Sequence, residues 1–178
     1  MGFPVVTRAT DYLVTAADWN ADLVANMNSL MHPIARKTAD ESVTSSTTLQ
    51  DDNDLTAAVG ANEVWLLEFR MRFEGSTAGD LQIGWSFPSG GRLICDTIAI
   101  DNTLVVTAFH ADVTSSPTAS LVILGTRGAG VSCYHMATVF YINAGTAGNV
   151  TLRWAQSSTD GTATKMLTNS TLWGAKLA

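Results

Sequence analysis

The stretch at residues 63–74, E-V-W-L-L-E-F-R-M-R-F-E, does most to limit what this chain can become. On a strand, successive side chains point to opposite faces, so Trp65, Leu67, Phe69, Met71 and Phe73 fall on one side and Val64, Leu66, Glu68, Arg70, Arg72 and Glu74 on the other. A helix would scatter the same aromatics and charges around its circumference. One dry face and one increasingly charged face define a strand of an antiparallel sheet whose outside meets water or a partner. Such a sheet needs a second layer to cover the dry side.

The rest of the chain offers that layer. Residues 81–87 alternate Leu81, Ile83, Trp85 and Phe87 against Gln82, Gly84 and Ser86, and residues 149–156 set Val150, Leu152 and Trp154 inward. Further strands are expected at 55–59, 104–110, 120–126, 165–167 and 172–177, with an interrupted one within 92–100. Turns are expected at 51–54 (D-D-N-D), 60–62, 75–79, 88–91, 128–130 and 145–148. Residues 131–143, V-S-C-Y-H-M-A-T-V-F-Y-I-N, are largely apolar on both faces. This strand is expected at a sheet centre, covered once by the core and once by a neighbouring subunit. About eight to ten strands separated by short turns, with no helix between them, predict a mainly β fold of two packed antiparallel sheets, a jelly-roll-type β-sandwich.

Before the strands come an arm and a helix. Residues 1–10 carry Phe3, Pro4, Val5 and Val6 without regular pattern, and read equally well as a docking arm or a frayed terminus. Thr15 with Asp18 makes a capping box in its Asp variant. Trp19, Leu23, Met27, Leu30 and Met31 then form a single apolar stripe, and Pro33 stops the helix. A helix of about sixteen residues is marginal alone. Its stripe packs either on the sheet or against symmetry copies, and the polar run that separates it from the strands favours the copies. The division expected is 1–34 for the anchoring arm and oligomerisation helix, 35–54 for a polar linker with short edge strands, and 55–178 for the sandwich.

Composition narrows the function. Charged residues make up 15% of the chain, against roughly 25% in a typical soluble domain, and a surface so short of charge points to self-association or a protein partner. A net charge of −6, with ten basic residues in no tract, argues against nucleic acid. No apolar run approaches the ~20 residues of a membrane span, and with no basic region leading into an apolar segment, no signal peptide is expected. Cys95 and Cys133 sit in or beside apolar runs, which favours buried thiols over a single disulfide. For residues 51–54 a solvated turn is favoured over a Ca²⁺ loop, because the twelve-residue ligand pattern is absent. No cofactor or metal site is expected.

Catalysis finds little support. His32, His110 and His135 belong to no nucleophile or metal motif, although His110 and Asp112 could approach Asp96 or Asp101. Glu68 and Glu74 on the outward strand face, with Glu63 at its start, follow an ordinary solubility pattern more than that of a glycosidase pair. Glycines at 75–79 and 128–130 lack the spacing of a phosphate-cradling loop. Trp85, Trp154 and Trp173 raise sugar stacking as an alternative, but each is in phase with Leu or Phe neighbours, as a core requires.

The segments T-A-A-D-W-N-A-D-L-V-A-N-M-N-S-L (15–30), R-K-T-A-D-E-S-V-T-S-S-T-T-L-Q-D-D-N-D-L (36–55), A-G-D-L-Q-I-G-W-S-F-P-S-G (78–90), T-L-R-W-A-Q (151–156) and L-W-G-A-K-L (172–177) resemble a family of virion proteins of tailed bacteriophages and prophages, commonly labelled minor tail or virion structural proteins. The resemblance implies a non-enzymatic, trimeric accessory component of the particle surface, similar to the jelly-roll knobs of phage heads, fibres and tail tips. On that resemblance Phe3, Pro4, Val5 and Val6 anchor to a capsid or tail/baseplate protein, whereas Trp19, Leu23, Met27 and Leu30 pack around the symmetry axis. Capsid decoration or head fibre and tail component remain alternatives within it. A carbohydrate- or host-receptor-binding module, with a surface glycan as partner, is the reading of a different class.

Overall fold

The computed structural model describes residues 15–18, 20, 33–100, 106–114 and 122–178. The chain divides into two units, Met1–Pro33 and Ile34–Ala178. In the first, residues 16–18 and 20 are helical, and the expected capping box is formed. The Thr15 hydroxyl accepts the Asp18 amide N–H at 3.1 Å, while the Asp18 carboxylate accepts the Thr15 amide at 3.1 Å and the Thr15 hydroxyl at 2.6 Å. The exchange satisfies amides that a first helical turn leaves without partners. Phe3, Pro4, Val5 and Val6, and the stripe of Trp19, Leu23, Met27 and Leu30, lie outside the described residues.

The second unit is an antiparallel two-sheet sandwich. Its strands are β1 (Ala35–Arg36), β2 (Glu41–Val43), β3 (Gln50–Val59), β4 (Val64–Gly75), β5 (Leu81–Ser86), β6 (Arg92–Ile100), β7 (Val106–Val113), β8 (Val122–Leu124), β9 (Gly128–Ile142), β10 (Gly148–Gln156), β11 (Thr164–Met166) and β12 (Thr171–Lys176). The larger sheet runs β1-β12-β4-β9-β6-β7, with β11 bridging β2 and β4, and the smaller runs β3-β10-β5-β8. The pairings nest. β5 pairs with β8, β4 with β9, β3 with β10, and β1 and β2 with β12 and β11. The β6–β7 hairpin is inserted between β5 and β8 and adds to the far side of β9.

Alternation along β4 has the predicted phase. Leu67, Phe69, Met71 and Phe73 are buried, and Trp65 is half-buried at the sheet end. The opposite sheet covers them with Leu55, Leu81, Ile83, Trp85, Val150, Leu152 and Trp154. Phe69 and Trp85 meet edge to face across the layers, with ring centroids 5.9 Å apart, a favoured geometry for aromatic quadrupoles. Trp85 and Trp154 are therefore core residues. Gly174 lies on the inner side of β12, where an added Cβ would come within 2.6 Å of Ile34 and 2.7 Å of Leu67. Only a bare backbone lets Ile34 tuck in there.

Three local expectations are corrected. Residues 51–54 do not form a turn but belong to β3, and Asp52 is buried. The reason is Lys37, whose Nζ lies 3.0 Å from Asp52 Oδ2 and 2.7 Å from Glu41 Oε2, placing a buried cation against carboxylates that would otherwise seek water. Burial alone would push the Lys37 amine down, but hydrogen bonds to Glu41 and Asp52 and their charges outweigh it and hold the amine above the usual lysine value. Residues 128–130 are likewise no turn but the start of β9, where Gly128 at φ +111° and Gly130 at φ +79° absorb a register shift opposite Gly75. Residues 92–100 form one uninterrupted strand. Residues 35–54 hold β1, β2 and the start of β3, and Lys37, Val43, Leu49 and Asp52 within them are buried.

Both cysteines are free, Cys95 buried and Cys133 half-buried. Burial pushes the Cys95 thiol up to about 12, which keeps it protonated and inert.

Removing the ring at the centre of the core tests this packing. Phe69→Ala is expected to lower unfolding stability by about 3–5 kcal/mol, read as a reduced urea midpoint with the slope unchanged.

Candidate functional site

The outward face of the larger sheet carries the least ordinary surface. On β4, β6 and β9 the even-numbered residues point outward, opposite the buried odd-numbered row. Leu66, Phe140 and Ile94 lie side by side across three strands, and Arg70 stands beside Met136. Tyr134 is 63% exposed, Ile98 65%, Met136 45% and Leu66 41%. Exposed single apolar residues need no explanation, but neighbours in a contiguous band do.

Ion pairs flank this band. On the β6–β7 side Arg92 donates to Asp112 at 2.8 and 2.5 Å, and Asp96 lies 2.6 Å from His110 Nδ1. The bond from Arg92 holds the Asp112 carboxyl below its usual range. On the β12 side Arg70 pairs with Glu68 and lies 5.0 Å above the Trp173 ring, a cation–π contact. His110, Asp96 and Asp112, singled out in the sequence, thus divide between two exposed pairs, His110–Asp96 and Arg92–Asp112, whereas Asp101 lies outside the described residues. Neither pair includes a hydroxyl or thiol nucleophile.

Between β6 and β9 the ladder ends at the Asp96–Thr138 pair. The next side chain causes the split. Thr97 Oγ1 donates to the Met136 carbonyl at 3.0 Å and lies 2.8 Å from His135 Nε2. A hydroxyl has one proton, so with that proton on Met136 the remaining bond is donated by His135 Nε2–H. This fixes the neutral imidazole with its proton on Nε2, and burial pushes His135 from the ordinary value of 6.5 down to about 4. The strands part around this bond and leave a cavity of about 600 Å³ whose lining includes Phe73, Leu124, Arg127, Cys133, Tyr134 and Met136.

Chemically the cavity is better equipped to bind than to react. Cys133 and His135 are two residues apart on the inner side of one strand, so their backbones are separated by about 6.6 Å, and the Cys133 sulfur contacts the Val131 carbonyl at 3.9 Å. Glu63, Glu68 and Glu74 are each paired with a cation, Lys176, Arg70 and Lys165. Glu63 is held down to about 2 by hydrogen bonds from Lys176, Trp65 and Gly60, which clip the last strand to the start of β4. Among the described residues no group of three or more His, Cys, Asp or Glu converges to hold a metal ion, and no helix is long and apolar enough to cross a membrane.

Sequence reasoning did not find the cavity. Thr97 and His135 are far apart in the chain, and neither carries a local signal. What could be found was the outward band, because both faces of β9 are apolar in the sequence.

No protein-family model and no curated protein matches the chain. Solved structures similar to it include those of infectious bursal disease virus, of the Gt strain at 9% identity and the Gx strain at 12%, each with a TM-score of 0.22 and covering 82% of this chain. The chain spans 40% of the length of each matched virus chain. A TM-score that low equates neither fold nor role.

Buried and neutral, His135 makes stability depend on pH. Its folded value lies below the unfolded one, so its contribution is complete above pH 6.5 and lost as pH falls towards about 4, amounting to about 3 kcal/mol. Because Gln keeps a donor towards Thr97, His135→Gln is expected to remove that part of the acid sensitivity. The difference in urea midpoint between the two proteins should change between pH 6.5 and 4 and stay level outside that window.

Proposed function

We propose that the chain is a non-enzymatic structural component of a phage virion, a homotrimeric knob mounted on the capsid or tail through its N-terminal region. The observation that carries this reading is the outward apolar band. A sandwich whose core is already complete still presents Leu66, Ile98, Tyr134 and Met136, the kind of surface that contacts another protein and one that catalysis does not need. The chain's resemblance to tailed-phage virion proteins gives that contact its setting.

The strand order supports a jelly roll as the knob's architecture. Nested antiparallel pairs, divided between two sheets, are what one long hairpin produces when it is rolled up. Jelly rolls recur in viral capsid and lectin domains. On this reading the knob comprises residues 34–178 with the β6–β7 hairpin as an addition at its tip. Phe3, Pro4, Val5 and Val6 form the anchor to the particle, and Trp19, Leu23, Met27 and Leu30 form the seam between copies.

A second reading rests on a narrower observation. Tyr134 stands 63% exposed at the cavity, whose lining also includes Asp96 and Arg127, and an exposed aromatic face in a charged cavity suits a sugar ring. A glycan array separates this reading from the first: signal lost in Tyr134→Ala supports a host-surface glycan, and no signal removes that partner for the sugars tested.

The experiment for the structural reading is light scattering after gel filtration of the full chain. Three copies are expected, and Leu23→Asp is expected to reduce the particle to single chains. A monomeric wild-type chain, or a Leu23→Asp chain that stays trimeric with unchanged melting, removes the trimer.

A further inference from the structure

One ionic cluster inside the knob serves neither surface described above. The side chains of Lys37 and Asp52 are 1% and 0% exposed, yet each could reach a neutral form only by giving up or taking a proton inside the cluster. We propose that Lys37 and Asp52 condense into an intramolecular isopeptide bond, with Glu41 as the group that carries the protons.

Each requirement of that reaction has a residue in place. Lys37 Nζ lies 3.1 Å from Asp52 Oδ1 and 3.0 Å from Oδ2, which sets the carboxyl carbon between them within about 3.5 Å of the amine, the separation of a near-attack pair. Asp52 Oδ1 accepts backbone N–H groups from Asp54 at 3.0 Å and Leu55 at 2.9 Å. These two donors are aimed where negative charge develops in a tetrahedral intermediate. Asp52 Oδ2, the oxygen that departs, accepts the Trp154 indole N–H at 3.1 Å. Glu41 Oε2 is 2.7 Å from Nζ, and Glu41 is itself held by Gln50 Nε2 at 2.8 Å and the Asn53 amide at 3.3 Å.

The step balances without a co-reactant. One proton of the Lys37 ammonium passes to Asp52 Oδ2, giving an amine and a carboxylic acid at the same total charge. The Nζ lone pair forms the bond to the Asp52 carbon while the carbonyl pair moves onto Oδ1, and Glu41 takes a second proton from the nitrogen. The pair on Oδ1 returns, the bond from carbon to Oδ2 breaks, and Oδ2 leaves as water with the proton that Glu41 gives back. One hydrogen stays on the new amide nitrogen, and Glu41 ends as it began. The carboxylates that make the reactive geometry also favour the ammonium over the amine. Burial opposes them, since a low-dielectric interior penalises the ion pair more than its neutral tautomer, and a site closed to water also disfavours hydrolysis of the product.

The bond would tie the residue that follows β1 in one sheet to β3 in the other, a link that neither ladder of hydrogen bonds supplies.

Mass spectrometry of the denatured full chain tests it. The wild-type mass is expected to fall short of the sequence mass by one water, trypsin is expected to leave the bond after Lys37 uncut and so release residues 37–70 as one peptide, and a second protease that cuts after Glu41 is expected to leave the Lys37 and Asp52 peptides still joined. Glu41→Gln, which can keep the hydrogen bonds but not the proton transfer, should restore the full mass with the fold retained by circular dichroism. Asp52→Asn should lose ammonia in place of water. A wild-type chain at its full sequence mass, or a deficit of one water without joined peptides, overturns the proposal.

Discussion

Strand β4 is the element on which the other layers depend, because its inward row can be dry only if the sheet is closed on both sides of it. β9 pairs with it along nearly its whole length, and β12 and β11 share its other edge. With these in place the backbone polar groups of β4 are satisfied, and Leu67, Phe69, Met71 and Phe73 can be covered by β5 and β10 without burying an unpaired amide. The outward band and the cavity follow from the same pairing. β9 is fixed against β4, so the place where β6 departs from β9 decides where the sheet opens.

Polarity in the sandwich is partly inverted. A cation and a carboxylate lie buried between its sheets, while the outside of its larger sheet carries isoleucine, tyrosine and methionine. Both placements cost free energy in an isolated domain, and they are accommodated differently. The interior charges are matched atom by atom, down to the indole N–H on Asp52, as a buried ion pair requires if it is not to destabilise. The outward side chains are left open among ion pairs.

Much of the fold could be read from residue order because burial on a strand has period two. The phase of β4, the inward Trp85 and Trp154 and the cap at Thr15 all follow from local pattern. Local pattern also misleads where a distant residue decides the outcome. D-D-N-D has the composition of a turn, but Lys37, in a polar run with no signal of its own, supplies the cation that lets Asp52 sit inside a strand. Gly128 to Gly130 look like a turn because positive φ is common there, whereas here the same backbone freedom realigns β9 opposite Gly75. The candidate cavity was the least legible part, since its hydrogen bond joins Thr97 to His135 through tertiary structure alone.

The nesting of the strand pairs also sets how the chain can find its fold. Joining Ala35 to Leu172 directly would close almost the entire sandwich as one loop, and loop closure is the entropic obstacle that makes sheets of distant strands slow to form. Nested pairs avoid that cost. Once β5 and β8 have met, β4 and β9 are brought close with only two connections left to order, and the same holds for β3 with β10 and then for the outermost strands. The nested pairs can therefore close like a zip from the innermost outward, and lengthening the β6–β7 excursion changes only the first closure.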